Sequence, residues 1–205
     1  MAFFGAPIEH DNHAVEGCYT ALEMMEELAV LQEGWAKSGT FSLDVGIGLN
    51  TGDMSVGNMG SRIRFDYTVM GDNVNLGSRL EGINKEYRTN IIISESTFEG
   101  AKDFIHAREM DLVRVKGKRE PVRIYELIGK GPPTSNAKAL IEHFGNALQL
   151  YRQQRWDEAI AAFDHVRTEI KLDDGPSSMY IQRCQELKLA PPGEFWDGTY
   201  TMTTK

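Results

Sequence analysis

The 205-residue sequence predicts an α+β fold with a largely antiparallel sheet, followed by a small all-α extension. Three observations carry this. Apolar and polar residues alternate in short runs between residues 41 and 128, joined by glycine-bearing turns. Helical stretches are mixed with those runs and their hairpins up to Ile128, hence α+β. Beyond the segment Gly129-Lys130-Gly131-Pro132-Pro133-Thr134-Ser135 the periodicity is helical throughout, so that segment reads as a linker.

From His13 to about Lys37, Val15, Cys18, Leu22, Met25 and Ala29 recur at steps of three and four, with glutamates between them; this is a long amphipathic helix with Asp11-Asn12 as its N-cap. Phe41, Leu43, Val45, Ile47 and Leu49 alternate with polar or small residues and predict a strand with one buried face. Asn50-Thr51-Gly52-Asp53 is expected to turn it into a second strand around Met54 to Asn58. A third strand carries Ile63, Phe65, Tyr67 and Val69 on one face and Arg62, Arg64, Asp66 and Thr68 on the other. Gly71-Asp72 opens a helix to about Lys85 with the apolar stripe Leu76, Leu80 and Ile83; Asp72 reads as its N-cap rather than a ligand, and Asn75 and Arg79 share a different face one turn apart. A strand at Ile91–Ile93, a short helix from Glu95, and two strands joined across Lys116 to Pro121 complete this part near Ile128.

In the extension, Ala147, Leu150 and Tyr151, then Trp156, Ala159, Phe163 and Val166, fit two helices turned back at Gln153-Gln154-Arg155. Gly175-Pro176 and Pro191-Pro192 bracket a third, with Tyr180, Ile181, Cys184 and Leu187. The spacing after Trp156 is similar to one tetratricopeptide repeat, and a single repeat must bury its apolar face on a neighbour.

Composition excludes several classes. Apolar residues make up 41% of the chain, which argues against disorder. Two cysteines cannot staple a scaffold and suit a reducing, cytoplasmic setting. No apolar stretch reaches the roughly 20 residues that span a bilayer. The net charge of −8 argues against a nucleic-acid binder. Within that acidic total, Arg114, Lys116, Lys118, Arg119, Arg123 and Lys130 face only Glu120 and Glu126, so an anion is expected near this segment. His10, His13, His106, His143 and His165 have no metal-ligand spacing on one element and read as structural. Arg62 and Arg64 fit either subunit contacts or plain surface.

The run Phe65-Asp66-Tyr67-Thr68-Val69-Met70-Gly71-Asp72-Asn73-Val74-Asn75-Leu76-Gly77-Ser78-Arg79-Leu80 resembles the class III nucleotidyl cyclases, the adenylate and guanylate cyclases. Val45 to Gly52 resembles their central hairpin, Met1 to Pro7 the strand after their second metal aspartate, and Val115-Lys116-Gly117-Lys118 their phosphate-contacting turn. The resemblance implies a partial ferredoxin-like cyclase fold, a largely antiparallel sheet with helices on one face, over residues 1–129. A linker at 130–136, a tetratricopeptide-like extension at 137–190 and an irregular tail at 191–205 follow. The tail, with Trp196-Asp197-Gly198, resembles the C-terminal extension of bacterial membrane-bound sensor cyclases.

In that family the 3′-hydroxyl of a nucleoside triphosphate attacks its own α-phosphate and expels pyrophosphate, with two divalent metals, Mg²⁺ or Mn²⁺. Carried over, Asn75 orients the ribose, Arg79 stabilises charge at the phosphates, and Lys116 or Lys118 holds the β and γ phosphates. Thr68 stands where the base is read, and threonine there resembles adenylate cyclases, so ATP is the implied substrate. The family's two metal aspartates and its adenine-contacting lysine precede the segment matched by Met1 to Gly5 and have no counterpart in these residues. The chain is therefore expected to be an N-terminally truncated catalytic fragment, inactive alone and binding no metal tightly, that works within a homodimer of cyclase domains. The resemblance to sensor cyclases implies a cytoplasmic domain of a membrane-anchored parent protein. The alternative is a non-enzymatic regulatory or scaffolding remnant that pairs with another cyclase domain or docks a protein through its helices.

Overall fold

The computed structural model describes residues 1–37, 39, 42–60, 65–114, 120–193 and 195–201. The expectations placed on Ile63, Arg62, Arg64, Lys116, Lys118 and Arg119 lie outside the described residues.

Helix α1 spans His13–Lys37, β1 Ile47–Leu49, β2 Ser55–Gly60, β3 Phe65–Met70, α2 Asp72–Tyr87, β4 Ile91–Ser94, α3 Glu95–Ala101, β5 Ile105–Arg114 and β6 Val122–Lys130. Helices α4 (Ser135–Arg152), α5 (Trp156–His165) and α6 (Gly175–Leu189) follow, with a π-helical turn at Val166–Ile170 and a final strand β7 at Tyr200–Thr201. The five-stranded sheet runs β1-β4-β6-β5-β7. Its β4–β6 and β5–β6 pairs are antiparallel, and β1–β4 and β5–β7 are parallel.

Two strand expectations are corrected. The strand foreseen from Phe41 begins only at Ile47, because a ladder needs a partner: Ile47 pairs with Ile91, where β4 starts, and residues 42–46 run past its end. The foreseen hairpin between β1 and β2 is not formed. β2 pairs instead with β3 as a separate antiparallel ribbon, Gly57 opposite Thr68. The intervening loop is held elsewhere: Asn50 donates to the Asn73 carbonyl at 3.0 Å, Asn73 donates back to the Asp53 carbonyl at 2.9 Å, and Ser96 donates to the Thr51 carbonyl at 2.7 Å.

The α+β class holds, but the helices cover both faces of the sheet rather than one. Ile92, Met110, Val113 and Ile124 pack with Leu76, Leu80, Ile83 and Tyr87 of α2 and with α4–α6. Ile91, Ile93, Tyr125 and Leu127 point the other way, onto Val15, Cys18 and Leu22 of α1 and Ala101 of α3. Strand β4 is apolar at three consecutive positions because both of its faces are buried.

The helical extension shares the first of these cores. Phe144, Leu148, Tyr151, Phe163 and Tyr180 are each 1% exposed or less and lie with the sheet residues in one cluster. Each such side chain contributes roughly 2 kcal/mol by burial, so the α4–α5 pair buries its apolar face on the sheet and on α6. Gly131 to Thr134 makes the connection, and Thr134 caps α4 by accepting from the Ala137 N–H. Among the described residues no helix is long and apolar enough to cross a membrane.

Candidate active site

Thr68, Asn75 and Arg79 lie on β3 and on α2, which follows it directly. Gly71 joins the two with φ of 144°, a conformation that favours glycine, and it occupies the N-cap position. The Asp72 cap is therefore corrected: Asp72 is the first residue of α2, and no side chain caps this helix. Among the described residues no side-chain cap takes up the first turn's N–H groups, which can then meet an anion. Thr68 is partly buried, two residues before the end of β3 and beside the fully packed Val69.

Asn75 is exposed and Arg79 partly buried. They stand four residues apart, hence on one face of α2. Neither makes a side-chain hydrogen bond or ion pair among the described residues. The opposite stripe, Leu76, Leu80 and Ile83, fixes the rotation of the helix by burial. Its height above the sheet is set by glycine. A Cβ on Gly48 would lie 2.8 Å from the Leu80 carbonyl carbon, and nearer still to the Glu81 nitrogen and the Gly77 oxygen, so the helix backbone rests directly on β1. The Asn50–Asn73 clamp fixes the N-terminal end. Thr51 meets Thr97 at 3.0 Å and ties the same loop to α3, which Ser94 caps. Sequence reasoning missed these positioning residues. The available signals were an Asn directly after an alternating run and the Ser94-x-x-Thr97 spacing of an N-cap.

The basic segment is less free than its composition implies. Arg123 lies 3.5 Å from both Glu95 and Glu109, Lys130 is 2.7 Å from Glu23, and Arg114 is 3.8 Å from Asp197. These three side chains answer carboxylates of the chain itself. Lys116 and Lys118, between β5 and β6 in sequence, lie outside the described residues.

Among the described residues no three His, Cys, Asp or Glu side chains converge to hold a metal ion. The histidines are engaged locally: His13 Nδ1 is 3.0 Å from the His10 carbonyl, His106 Nδ1 is 3.0 Å from the Gly131 carbonyl, and the His143 and His165 rings pack 5.2 Å apart. The described residues thus do not fit a two-metal centre, and no chemical step is assigned to one.

The buried charges lie elsewhere, at the seam between sheet and extension. Arg108 on β5 is fully buried and forks onto both carboxylate oxygens of Asp174 at 3.0 and 2.7 Å, while its Nε donates to Glu126. Burial raises the Asp174 carboxyl, but Arg108, Ser177 and Lys171 outweigh it and hold the group below the usual carboxylate range. Arg183 on α6 donates to Asp111 at 2.6 Å, and Tyr87 donates to the same carboxylate oxygen. Burial first, and the Asp111 charge second, drive the Tyr87 hydroxyl well above the ordinary phenol value.

The mixed sheet with its helices is the fold of a nucleotidyl cyclase domain. Residues 1–129 match the family described as "Adenylate and Guanylate cyclase catalytic domain", and the chain belongs to that family. It is 36% identical over 177 residues to "Adenylate cyclase, terminal-differentiation specific" of Dictyostelium discoideum, a match covering 83% of this chain and 8% of that protein. Among solved structures it is similar to the adenylyl cyclase CyaB from P. aeruginosa, at 34% identity and a TM-score of 0.56 over 61% of this chain and 64% of that one. It is also similar to the guanylyl cyclase Cya2, at 36% identity and a TM-score of 0.57 over 64% and 66%. The chain spans 8%, 19% and 23% of three curated relatives that it matches.

Proposed function

We propose that this chain supplies the ribose- and phosphate-contacting half of an adenylate cyclase site, completed by a second cyclase domain. The observation that carries the reading is the Asn75 and Arg79 pair on one face of α2, without side-chain partners among the described residues, in a chain of this family. A partly buried guanidinium with no carboxylate beside it is costly unless an anion uses it. As the 3′-oxygen attacks the α-phosphate and pyrophosphate departs, Arg79 answers the negative charge that grows on the phosphoryl oxygens, and Asn75 holds the ribose so that the attack is in line. Thr68 reads the adenine amine with its hydroxyl, and Lys116 or Lys118 holds the β and γ phosphates. The similarity to both an adenylyl and a guanylyl cyclase leaves base choice to side chains such as Thr68.

The described residues assemble no acidic donor set, and the 205 residues alone are expected to turn over no ATP. The partner is a second cyclase domain that carries such donors, in the cytoplasm. The test mixes the purified chain with an intact cyclase domain whose own arginine, at the position matching Arg79, has been replaced. Cyclic AMP and pyrophosphate are expected from the mixture with ATP and Mn²⁺, and from neither component alone. Arg79→Ala in this chain abolishes the rescue. Turnover by the chain alone, or rescue that survives Arg79→Ala, overturns the proposal. Binding without rescue favours the regulatory-module reading.

A further inference from the structure

We infer that the C-terminal extension is a positioning device for this half-site, with Arg183 as the positioning residue that joins α2 to β5 and Tyr200 as the strap over it. The inference rests on the function proposed above for α2.

Helix α6 holds three successive points of β5. Asp174, which caps α6 through Ser177, receives the Arg108 fork. Tyr180 donates to the Met110 carbonyl at 2.8 Å, and Arg183 donates to Asp111. A bulge in the β5–β6 ladder between Glu109 and Asp111 permits this. The extra residue lets Met110 and Asp111, neighbours in sequence, both serve the face on which α6 lies.

The same atoms hold α2. Its last residue, Tyr87, is 0% exposed and donates to the Asp111 oxygen that Arg183 also approaches. The next residue, Arg88, turns out of the helix with φ of 55° and lies against Gly175, where a Cβ would stand 2.5 Å from the Arg88 Cβ. Arg183 therefore sits at a junction. One arm is α2, which carries Arg79 eight residues upstream, about 12 Å along a helix. The other is β5, which holds Asp111 and ends three residues later at Arg114. The helix that carries Arg79 and the strand β5 thus meet at Tyr87, Asp111 and Arg183.

The chain's end closes the junction. β7 adds to the β5 edge, Tyr200 opposite Val113, and the Tyr200 ring lies 3.6 Å from the Arg183 guanidinium carbon. Tyr180 and Tyr87 flank the same guanidinium at 5.0 and 5.6 Å. Tyr200 is only partly buried, so removing its ring unstacks Arg183 while leaving the cores intact.

The experiment uses the full 205-residue chain with Tyr200→Ala and, separately, Arg183→Lys, which keeps the charge but loses the planar group whose two nitrogens reach Asp111 and the Tyr87 hydroxyl. Two readouts are taken. In the mixed assay, kcat is expected to fall about tenfold with Arg183→Lys and about threefold with Tyr200→Ala, with KM for ATP within twofold. In the isolated chain, amide exchange is expected to quicken in residues 72–87 and 108–114 while the amides around Phe144 and Phe163 keep their protection. Uniform quickening across the chain, or unchanged exchange in 72–87, overturns the inference. If the wild-type chain gives no rescue, the functional proposal fails by itself, and the exchange pattern still decides whether Arg183 and Tyr200 position α2.

Discussion

Replacing Gly48 with alanine tests how α2 is placed, because the substitution adds one methyl group at the point where helix and strand touch. Gly48 has no left-handed backbone conformation, so the effect is steric and not a matter of backbone strain. The new Cβ would meet the Leu80 carbonyl carbon at 2.8 Å, where ordinary contact begins near 3.4 Å, and the other two neighbours are backbone atoms that cannot rotate away. α2 must retreat from β1 by ~0.6 Å or more. Overpacking of this kind costs about 1–3 kcal/mol, and a displacement approaching 1 Å at a positioning element costs on the order of 10- to 100-fold in rate. Gly82 is the control on the same helix: nothing lies within 4 Å of its added Cβ, so Gly82→Ala should stabilise by up to about 1 kcal/mol through helix propensity. Urea unfolding followed by tryptophan fluorescence reads the stabilities, and the mixed cyclase assay reads kcat. A Gly48→Ala chain within about 0.5 kcal/mol of wild type, with unchanged kcat, would show that α2 does not rest on β1 as described.

Two further outcomes follow from the buried groups. The Asp174 carboxyl is held below its unfolded value, near 3.9, so its stabilisation is complete above that value and is lost as pH falls through the lower folded one. Asp174→Asn should therefore cost about 3–5 kcal/mol at pH 7 and less at pH 3 in urea titrations; a gap that stays constant with pH refutes the assignment. Burial pushes both thiols, Cys18 and Cys184, up to about 12. At pH 8 roughly one in 10⁴ would be thiolate, so a disulfide reagent should label neither in the native chain and both in urea, whereas rapid native labelling contradicts the packing.

The elements whose shape is set by local periodicity were legible in the sequence. α1 has the bounds its apolar steps imply, α2 carries its stripe two residues further than expected, and α4 to α6 fall between the predicted breaks. The pairing of β1 was not legible, because alternation marks a strand but not its partner, and the partner here is the short β4, 44 residues away in register. The layering had a signal that was available and unused. Three consecutive isoleucines at 91–93 cannot belong to a strand with one wet face. The candidate residues Asn75 and Arg79 were found through family likeness, and the structure adds what holds them: Gly48, Asn50 and Asn73. None of these three is a reactive type, and each acts through backbone approach or an amide bond, which leaves little trace in a single sequence.

The seam between sheet and extension was the least legible part, and the reason bears on its role. Arg108 and Asp174 are 66 residues apart, and Asp111 and Arg183 are 72 apart, so no local pattern announces either pair. An apolar seam of the same area would be at least as stable, since two buried charges lose more hydration than a pair usually returns. What ionic contacts add is a single geometry. A guanidinium fork onto a carboxylate tolerates little sliding, while leucine against leucine tolerates more. Both pairs join α6 to β5, and the second reaches α2 through Tyr87. A helix that must present Asn75 and Arg79 to a site shared with another domain gains from being held in one register. The extension supplies that constraint at the end of α2 opposite the open face.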